Sequence, residues 1–199
     1  ETALFSDGTD QEESNEETQE VQVTVSVSKD GKFLNDKDGN PMAGRSITLT
    51  GKNTYNMDDA LKLAHDLYYP GGAEAGYDYH EDENGIYDGI IYKLWGYNKN
   101  DVPNIKSILN HDTRNLGSAL SRTVQNGDEL HFFIQAQNGK DKFAFFTETE
   151  ATYTQGQEIT LKLRQRNDFG GCFSNCTGAS IYINGVKQEE LLTDSEGNV

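Results

Sequence analysis

The residues with the clearest potential for chemistry lie between Asp66 and Asn98. This stretch contains seven of the ten tyrosines and the only tryptophan. Tyrosine and tryptophan combine a large apolar contact area with a polar tip, which is typical of recognition surfaces. We therefore expect a binding site in this stretch. Its candidate residues are Tyr69, Tyr77, Tyr79, Tyr87 and Trp95.

The same stretch carries the densest acidic cluster outside the N-terminal tail. Carboxylate oxygens at this density can bind calcium. Two interpretations of the acidic cluster remain open: it is a solvated loop, or it forms a calcium site with Asp78, Asp82 and Asp88 as ligands. The spacing Asp36-x-Asp38-Gly39-Asn40 also resembles a calcium loop, but it lacks the distal glutamate, so we predict a turn there. Apart from calcium, we expect no cofactor.

Catalytic constellations are not evident in the sequence. The four histidines are His65, His80, His111 and His131. None of them lies in a metalloprotease spacing, and no nucleophile elbow of the G-x-S-x-G type occurs. Cys172 and Cys176 lie in a glycine-rich segment, and the sequence leaves open whether they form a small disulfide or stay as thiols. We therefore predict a protein that is not an enzyme.

Charge restricts the class of partner. The formal net charge is −16, which disfavours nucleic acid and anionic membrane surfaces because both require basic patches. No segment is long and apolar enough to insert into a bilayer. Residues 1–20 are rich in acids and contain no base, so we predict a disordered tail. The absence of an initial methionine suits a processed piece of a longer protein.

Hydrophobic periodicity predicts a mixture of strands and one main helix. Alternation predicts strands at 21–28, 45–50 and 158–163, and an apolar strand at 90–95 in the centre of the sheet. A helix over 57–68 should begin at the N-cap Asn56 and end before Pro70. Strands at 129–136 and 143–147 should pair as a hairpin. The segment 98–122 is predicted to be a long loop with one or two short secondary-structure elements and a turn at 110–112.

These elements predict an α+β fold with four divisions. Residues 1–20 form the tail, 21–165 a binding domain, 166–178 a linker, and 179–199 the start of a β-type module that the sequence does not complete. The elements of the binding domain alternate between strand and helix periods, which favours a sheet with one helix packed on it.

Three segments together resemble a known family. They are Tyr55-Asn56-Met57-Asp58-Asp59-Ala60-Leu61, Lys93-Leu94-Trp95-Gly96 and Gly127-Asp128-Glu129-Leu130. Over residues 48–134 the chain resembles the transcobalamin-like C-terminal domain, which occurs in exported proteins of anaerobic Gram-positive bacteria. The resemblance implies a β-grasp-like mixed sheet and a small-ligand site of the cobalamin type.

Two further segments are similar to clostridial surface proteins. Phe5-Ser6-Asp7-Gly8 is similar to their mature N-terminus, and residues 183–199 are similar to their Ig-like or prealbumin-like modules. The second similarity implies a partial β-sandwich-type module at the C-terminus of this sequence. This similarity implies an extracellular protein associated with the cell wall or cell surface.

Together these features predict a monomeric surface module that binds a host or environmental macromolecule through a tyrosine-rich loop. The partner would be a host protein, such as an immunoglobulin, or a glycan. The alternatives are a small-ligand domain and a structural spacer in an adhesin. Macromolecular recognition requires Tyr69, Tyr77 and Tyr79 to be exposed and contiguous. A small-ligand site instead requires a pocket lined by Tyr77, Tyr87 and Trp95.

Overall fold

A computed structural model describes residues 19–80, 89–112, 120–135, 143–148, 152–166, 173–183 and 186–199. These residues form mostly β-structure with two helices and one 3-10 turn at Lys99–Asp101. The helices are α1 (Met57–Tyr68) and α2 (Gly72–Gly76). The strands are β1 (Gln19–Lys29), β2 (Lys32–Phe33), β3 (Arg45–Lys52), β4 (Tyr55–Asn56), β5 (Asp78–His80), β6 (Ile90–Leu94), β7 (Tyr97–Asn98), β8 (Ile105–Leu109), β9 (Thr123–Val124), β10 (Glu129–Ile134), β11 (Phe143–Phe146), β12 (Leu163–Arg166), β13 (Ser174–Asn175), β14 (Ser180–Ile183) and β15 (Val186–Leu192).

The main sheet is built around β1. It pairs in parallel with β10 on one side and antiparallel with β2 and β3 on the other. Strand β8 pairs antiparallel with the far edge of β10. The sheet is therefore mixed, and helix α1 packs against β1 and β3 on one of its faces.

Alternation of side chains gives this sheet two different faces. The four valines of β1 are at most 2% exposed, and they lie in the core beside Leu130, Phe132 and Ile134 of β10. The intervening residues Glu129, His131 and Phe133 point to the opposite face, because neighbours along a strand alternate. We call the α1 side the helix face and the opposite side the outer face.

Helix α1 has the predicted bounds and the predicted cap. Asn56 Oδ1 accepts a hydrogen bond from Asp59 N at 2.9 Å, and Asp59 Oδ2 accepts one from Asn56 N at 3.2 Å. This reciprocal pair is a capping box. The apolar stripe includes Met57, Ala60 and Leu61, which are fully buried against the sheet.

Four strand predictions are corrected by the structure. The strand expected at 158–163 is wrong, because residues 158–161 belong to no strand and β12 begins only at Leu163. The segment expected to be a loop contains β8, which forms an edge of the main sheet. The expected hairpin between β10 and β11 is wrong, because β10 pairs with β1 and β8, whereas β11 pairs with β12. Strand β6 is central, as expected, but in a separate three-stranded sheet with β5 and β7.

The C-terminal strands are joined by backbone hydrogen bonds. Strand β12 lies between β11 and β13, and β14 forms a hairpin with β15. Leu161 and Val199 exchange two backbone hydrogen bonds of 2.8 and 2.9 Å. The segment predicted to be a linker, 166–178, therefore contains strand β13, and the final residues return to the start of β12.

The predicted turn at Asp36 is confirmed, and the same turn occurs again near the C-terminus. Asp36 Oδ1 accepts hydrogen bonds from the backbone N–H groups of Asp38 and Asn40 at 2.9 and 2.8 Å. Asp194 Oδ1 accepts two bonds of 2.8 Å from Glu196 and Asn198. Both carboxylates thus close a turn by binding backbone donors, which is the role of an Asx turn.

The capping box yields a stability prediction. Asn56→Ala should lower the free energy of unfolding by about 1 kcal/mol, because the Asp59 N–H loses its acceptor. Chemical denaturation monitored by circular dichroism would measure the loss. Asn56→Ser is the matched control and should retain most of the stability. Equal losses in both variants would contradict the role of the cap.

Candidate functional site

The predicted binding stretch forms an aromatic cluster around a buried histidine. The ring of His65 lies 4.6 Å from Trp95, 5.2 Å from Tyr77 and 5.8 Å from Tyr69, measured between centroids. His65 comes from the last turn of α1, and its side chain is inaccessible to solvent. The cluster therefore joins the helix to the aromatic stretch that follows it.

Hydrogen bonds fix the protonation state of His65. The backbone N–H of Trp95 donates to His65 Nε2 at 3.1 Å, so this ring nitrogen is an acceptor. His65 Nδ1 then donates to the Leu61 carbonyl at 2.8 Å. Burial lowers the pKa of His65 to about 4. The imidazole is therefore neutral at physiological pH, and it links α1 to the backbone of the β6–β7 turn.

Trp95 occupies a turn and not the end of a strand. Strands β6 and β7 form a hairpin whose two loop residues are Trp95 and Gly96, with φ values of 50° and 78°. Positive φ at both positions is typical of a type I′ turn, although it is unusual for a bulky residue. The Trp95 indole donates a hydrogen bond to the Asn35 carbonyl at 2.9 Å, which anchors the strained turn to the loop that follows β2.

Glycines in this stretch make room for tyrosine rings. A Cβ atom added at Gly76 would overlap the ring of Tyr69, and one at Gly96 would overlap its hydroxyl. A Cβ atom at Gly89 would overlap the hydroxyl of Tyr79. The combination of glycine and tyrosine therefore reflects close packing, because each ring lies directly against a backbone that has no side chain.

The expected exposure of the tyrosines is wrong. Tyr77 is only 8% exposed, and its hydroxyl donates a hydrogen bond to Asp58 at the start of α1. Tyr69 and Tyr79 are partly buried and pack against the core, and Trp95 is 6% exposed. Burial and the Asp58 carboxylate both raise the pKa of Tyr77. These rings do not form an exposed, contiguous surface.

Other tyrosines of the stretch are more exposed. Tyr92 on β6 is 40% exposed and contacts the His80 ring edge-on at 4.9 Å. Asp78 lies on β5, with 3.0 Å between its carboxylate and His80 Nε2. The other predicted residues, Tyr87, Asp82 and Asp88, lie outside the described residues. The calcium prediction therefore stays a prediction.

A second group of polar side chains lies on the outer face of the main sheet. Here His111, Glu129 and His131 offer ligand atoms that all lie within 4.8 Å of one another. His111 Nε2 is 2.9 Å from Glu129 Oε2, and His131 Nε2 is 3.7 Å from the same oxygen. Burial lowers the pKa of His111, and the Glu129 carboxylate opposes this shift. Two imidazoles and a carboxylate are a frequent ligand set for zinc.

Backbone geometry brings the three side chains together. Glu129 and His131 are two positions apart on β10, so both project from the same face. His111 lies in a turn after β8, as predicted, and both central residues, Asn110 and His111, have positive φ values of 50° and 60°. Asn110 Oδ1 accepts a hydrogen bond from Glu129 N at 2.8 Å, which holds the turn beside the strand.

Strand β11 covers this group with aromatic rings. Phe145 stacks on His111 with centroids 4.3 Å apart, and Phe143 lies edge-on to His131 at 5.1 Å. Ile108 on β8 is fully buried, although it lies outside the helix-face core. The outer face therefore has an apolar shell around its three polar groups.

A groove runs beside His131 on the same face. Its volume is about 460 Å³, and we call it the outer groove. Its side-chain lining includes Ser26, Ser28, Phe33, His131, Phe133 and Phe143. Phe33 is 51% exposed, which is unusual for a large apolar ring.

Sequence reasoning missed this region, although one local signal was available. The pattern Glu129-Leu130-His131 places a carboxylate and an imidazole on one face of a predicted strand. The third ligand was not predictable, because His111 reaches the site only through the pairing of β8 with β10. The metalloprotease spacing places two histidines on one helix, so it does not apply to ligands on two neighbouring strands.

Comparison with known proteins adds no relative: no family model and no curated protein matches the chain. The resemblance to the transcobalamin-like family therefore stays a prediction. In the described ranges, the helices are too short and too polar to cross a bilayer.

The fit between Gly76 and Tyr69 can be tested by a double-mutant cycle. Gly76→Ala should lower the free energy of unfolding by about 1–3 kcal/mol, because the new methyl group overlaps the tyrosine ring. In a Tyr69→Ala background the same change should cost much less, because the overlap is gone. Urea denaturation of the four proteins measures the coupling. Additive losses would contradict direct contact.

The buried His65 predicts a specific pH dependence of stability. Its pKa is lower in the folded than in the unfolded protein, so the unfolded chain binds the extra proton first as pH falls. Between about pH 7.5 and about pH 5, this should lower the free energy of unfolding by about 2 kcal/mol. The loss should be absent in His65→Gln, whose amide does not titrate.

Urea denaturation at both pH values would measure this difference. The control is His80→Gln, which removes an exposed histidine and should keep the wild-type pH dependence. If wild type and His65→Gln lost the same stability on acidification, the neutral buried histidine would be excluded as the cause.

Proposed function

We propose that the chain is a non-catalytic, extracellular binding module of a Gram-positive cell surface, and that it recognises a protein partner through the outer groove. The observation that carries the proposal is the set of phenylalanine rings that line this groove outside the core: Phe33, Phe133 and Phe143. The extracellular location rests on the resemblance to exported and surface proteins. A β-grasp-like domain is supported by the antiparallel β1–β3 pair, α1 and the parallel pairing of β10 with β1.

The shape and chemistry of the outer groove favour a protein ligand over a sugar. Phenylalanine rings bury apolar area but offer no hydrogen bonds, so they suit apolar side chains better than hydroxyl-rich sugar faces. Ser26, Ser28 and Lys32 add a few polar groups that could orient a backbone. Concave sites with mainly apolar walls and few polar groups are typical ligand sites.

The net charge indicates which protein partners this proposal favours. A net charge of −16 favours encounter with partners that present a basic surface, and it disfavours acidic ones. Exposed Phe33 would then act as the apolar anchor of the contact, because anchors of this kind contribute most of the binding energy in protein interfaces.

The burial of the tyrosines weakens the alternative functions. A cobalamin-type pocket lined by Tyr77 and Trp95 would compete with their packing around His65. A recognition surface made of Tyr69, Tyr77 and Tyr79 would need rings that the core already uses. Among the described residues of the aromatic stretch, Tyr92 and Tyr97 remain exposed, and they lie on a different sheet from the outer groove.

A binding experiment with two matched variants tests the proposal. The immobilised chain would be incubated with host secretions and purified immunoglobulin, and in parallel with a glycan array. We expect a protein to bind, and we expect Phe33→Ala to weaken its binding at least roughly tenfold. Tyr92→Ala removes an exposed aromatic ring outside the outer groove and should leave binding unchanged.

The opposite pattern would overturn the proposal. If Tyr92→Ala abolished binding and Phe33→Ala did not, recognition would belong to the sheet of β5, β6 and β7. Binding to glycans without any protein ligand would exclude a protein partner. Circular dichroism of both variants would confirm that each is folded before its affinity is compared.

A further inference from the structure

We propose that the chain binds one divalent transition-metal ion, with Zn²⁺ preferred, through His111 Nε2, a Glu129 carboxylate oxygen and His131 Nε2. The inference does not rest on the proposed function, although His131 and Phe143 also line the outer groove. It rests on the positions of three side chains, on a buried nitrogen that has no hydrogen-bond partner among the described residues, and on the backbone that holds the group in place.

The distances between ligand atoms suit a tetrahedral ion. Metal–ligand bonds of about 2.0–2.1 Å place neighbouring ligands about 3.3 Å apart in a tetrahedron. The separations from Glu129 Oε2 to the two imidazole nitrogens are 2.9 and 3.7 Å, which lie on either side of this value. Ligand atoms of the two histidines lie within 4.8 Å of each other, so side-chain movements of about 1.5 Å at most would complete the set.

One ligand atom lacks a hydrogen-bond partner within the part of the chain that the structure describes. His131 Nε2 is buried and neither accepts nor donates a hydrogen bond there. A buried polar atom of this kind normally has a partner, and leaving it without one costs free energy. The 3.7 Å separation from Glu129 is too long for a hydrogen bond, but it is suitable for two ligands of the same ion.

The backbone holds the group in place before any ion binds. Two ligands lie on the regular strand β10, and the third follows β8, its hydrogen-bonded neighbour. The positive φ of His111, 60°, is uncommon for histidine and is maintained by Asn110, which bonds both Glu129 and Asp128. Strained residues held by their surroundings occur often at ligand sites. The Phe143 and Phe145 rings supply the apolar shell that surrounds many metal sites.

The donor set selects the class of metal. Imidazole nitrogen suits zinc, copper, nickel and iron, whereas calcium and magnesium prefer oxygen ligands throughout. Three protein ligands leave one tetrahedral position, which a water molecule can occupy.

The test uses the full chain without a histidine tag, after dialysis against a chelator. Titration with ZnCl₂ in a calorimeter should show one ion per chain, and the melting temperature should rise with zinc because the ion binds the folded state. CaCl₂ at the same concentration should give neither effect. Substitution with Co²⁺ should produce the visible absorption of a low-coordinate cobalt site.

Matched variants assign the ligands. His131→Ala and Glu129→Gln should each weaken zinc binding more than about 100-fold, which exceeds the range for residues outside the ligand set. Glu129→Gln preserves the side-chain shape, so its loss cannot be attributed to misfolding. The control is His80→Ala, which removes an exposed histidine that also lies 3.0 Å from a carboxylate and should leave binding unchanged.

Three results would overturn the proposal. They are the absence of zinc binding to the wild-type chain, binding that survives both His131→Ala and Glu129→Gln, and binding that is lost in His80→Ala. In the second case, a stoichiometry above one ion per chain would assign the zinc to the acidic surface.

Discussion

The parallel pairing of β1 with β10 is the constraint on which the rest of the structure depends. It places the valines of β1 and the apolar residues of β10 on one face, where they bury α1. Because side chains alternate along a strand, the same register places Glu129, His131 and Phe133 on the other face. A shift of one residue would exchange the two sets. The packed core and the candidate metal group are thus two consequences of one register.

The histidine on the helix face and the histidine on the outer face differ in their hydrogen bonding. His65 is enclosed by aromatic rings, and both ring nitrogens are hydrogen-bonded. His131 is only partly buried, but its Nε2 is inaccessible to solvent and has no hydrogen-bond partner among the described residues. A satisfied imidazole stabilises packing, whereas an unsatisfied one provides an open ligand position. This difference, and not the number of histidines, separates a structural residue from a candidate site.

Local signals predicted the local elements. Alternating valines predicted β1, and Asn56 with two aspartates predicted the capped helix α1, because both depend only on near neighbours. The tyrosine-rich stretch was misinterpreted because composition does not report which ring lies on which glycine: Tyr77 is buried and Tyr92 is exposed. The prediction of a loop in place of β8 and the prediction of β10 as the partner of β11 were also wrong, because strand pairing depends on distant residues. The candidate metal group depends on both local periodicity and distant strand pairing. The sequence therefore places Glu129 and His131 on one face of a strand, but it does not place His111 beside them.

The position of Trp95 has a consequence for anyone who follows this protein by fluorescence. It is the only tryptophan, and it lies in the β6–β7 turn against His65 on the helix face. The outer face carries phenylalanine instead, which absorbs and emits too weakly to compete. Tryptophan emission will therefore report the integrity of the aromatic cluster, and events around β11 to β15 will be seen only through the weaker signals of Tyr153 and Tyr182. A tryptophan introduced in place of Phe145 would give that half of the molecule a signal of its own.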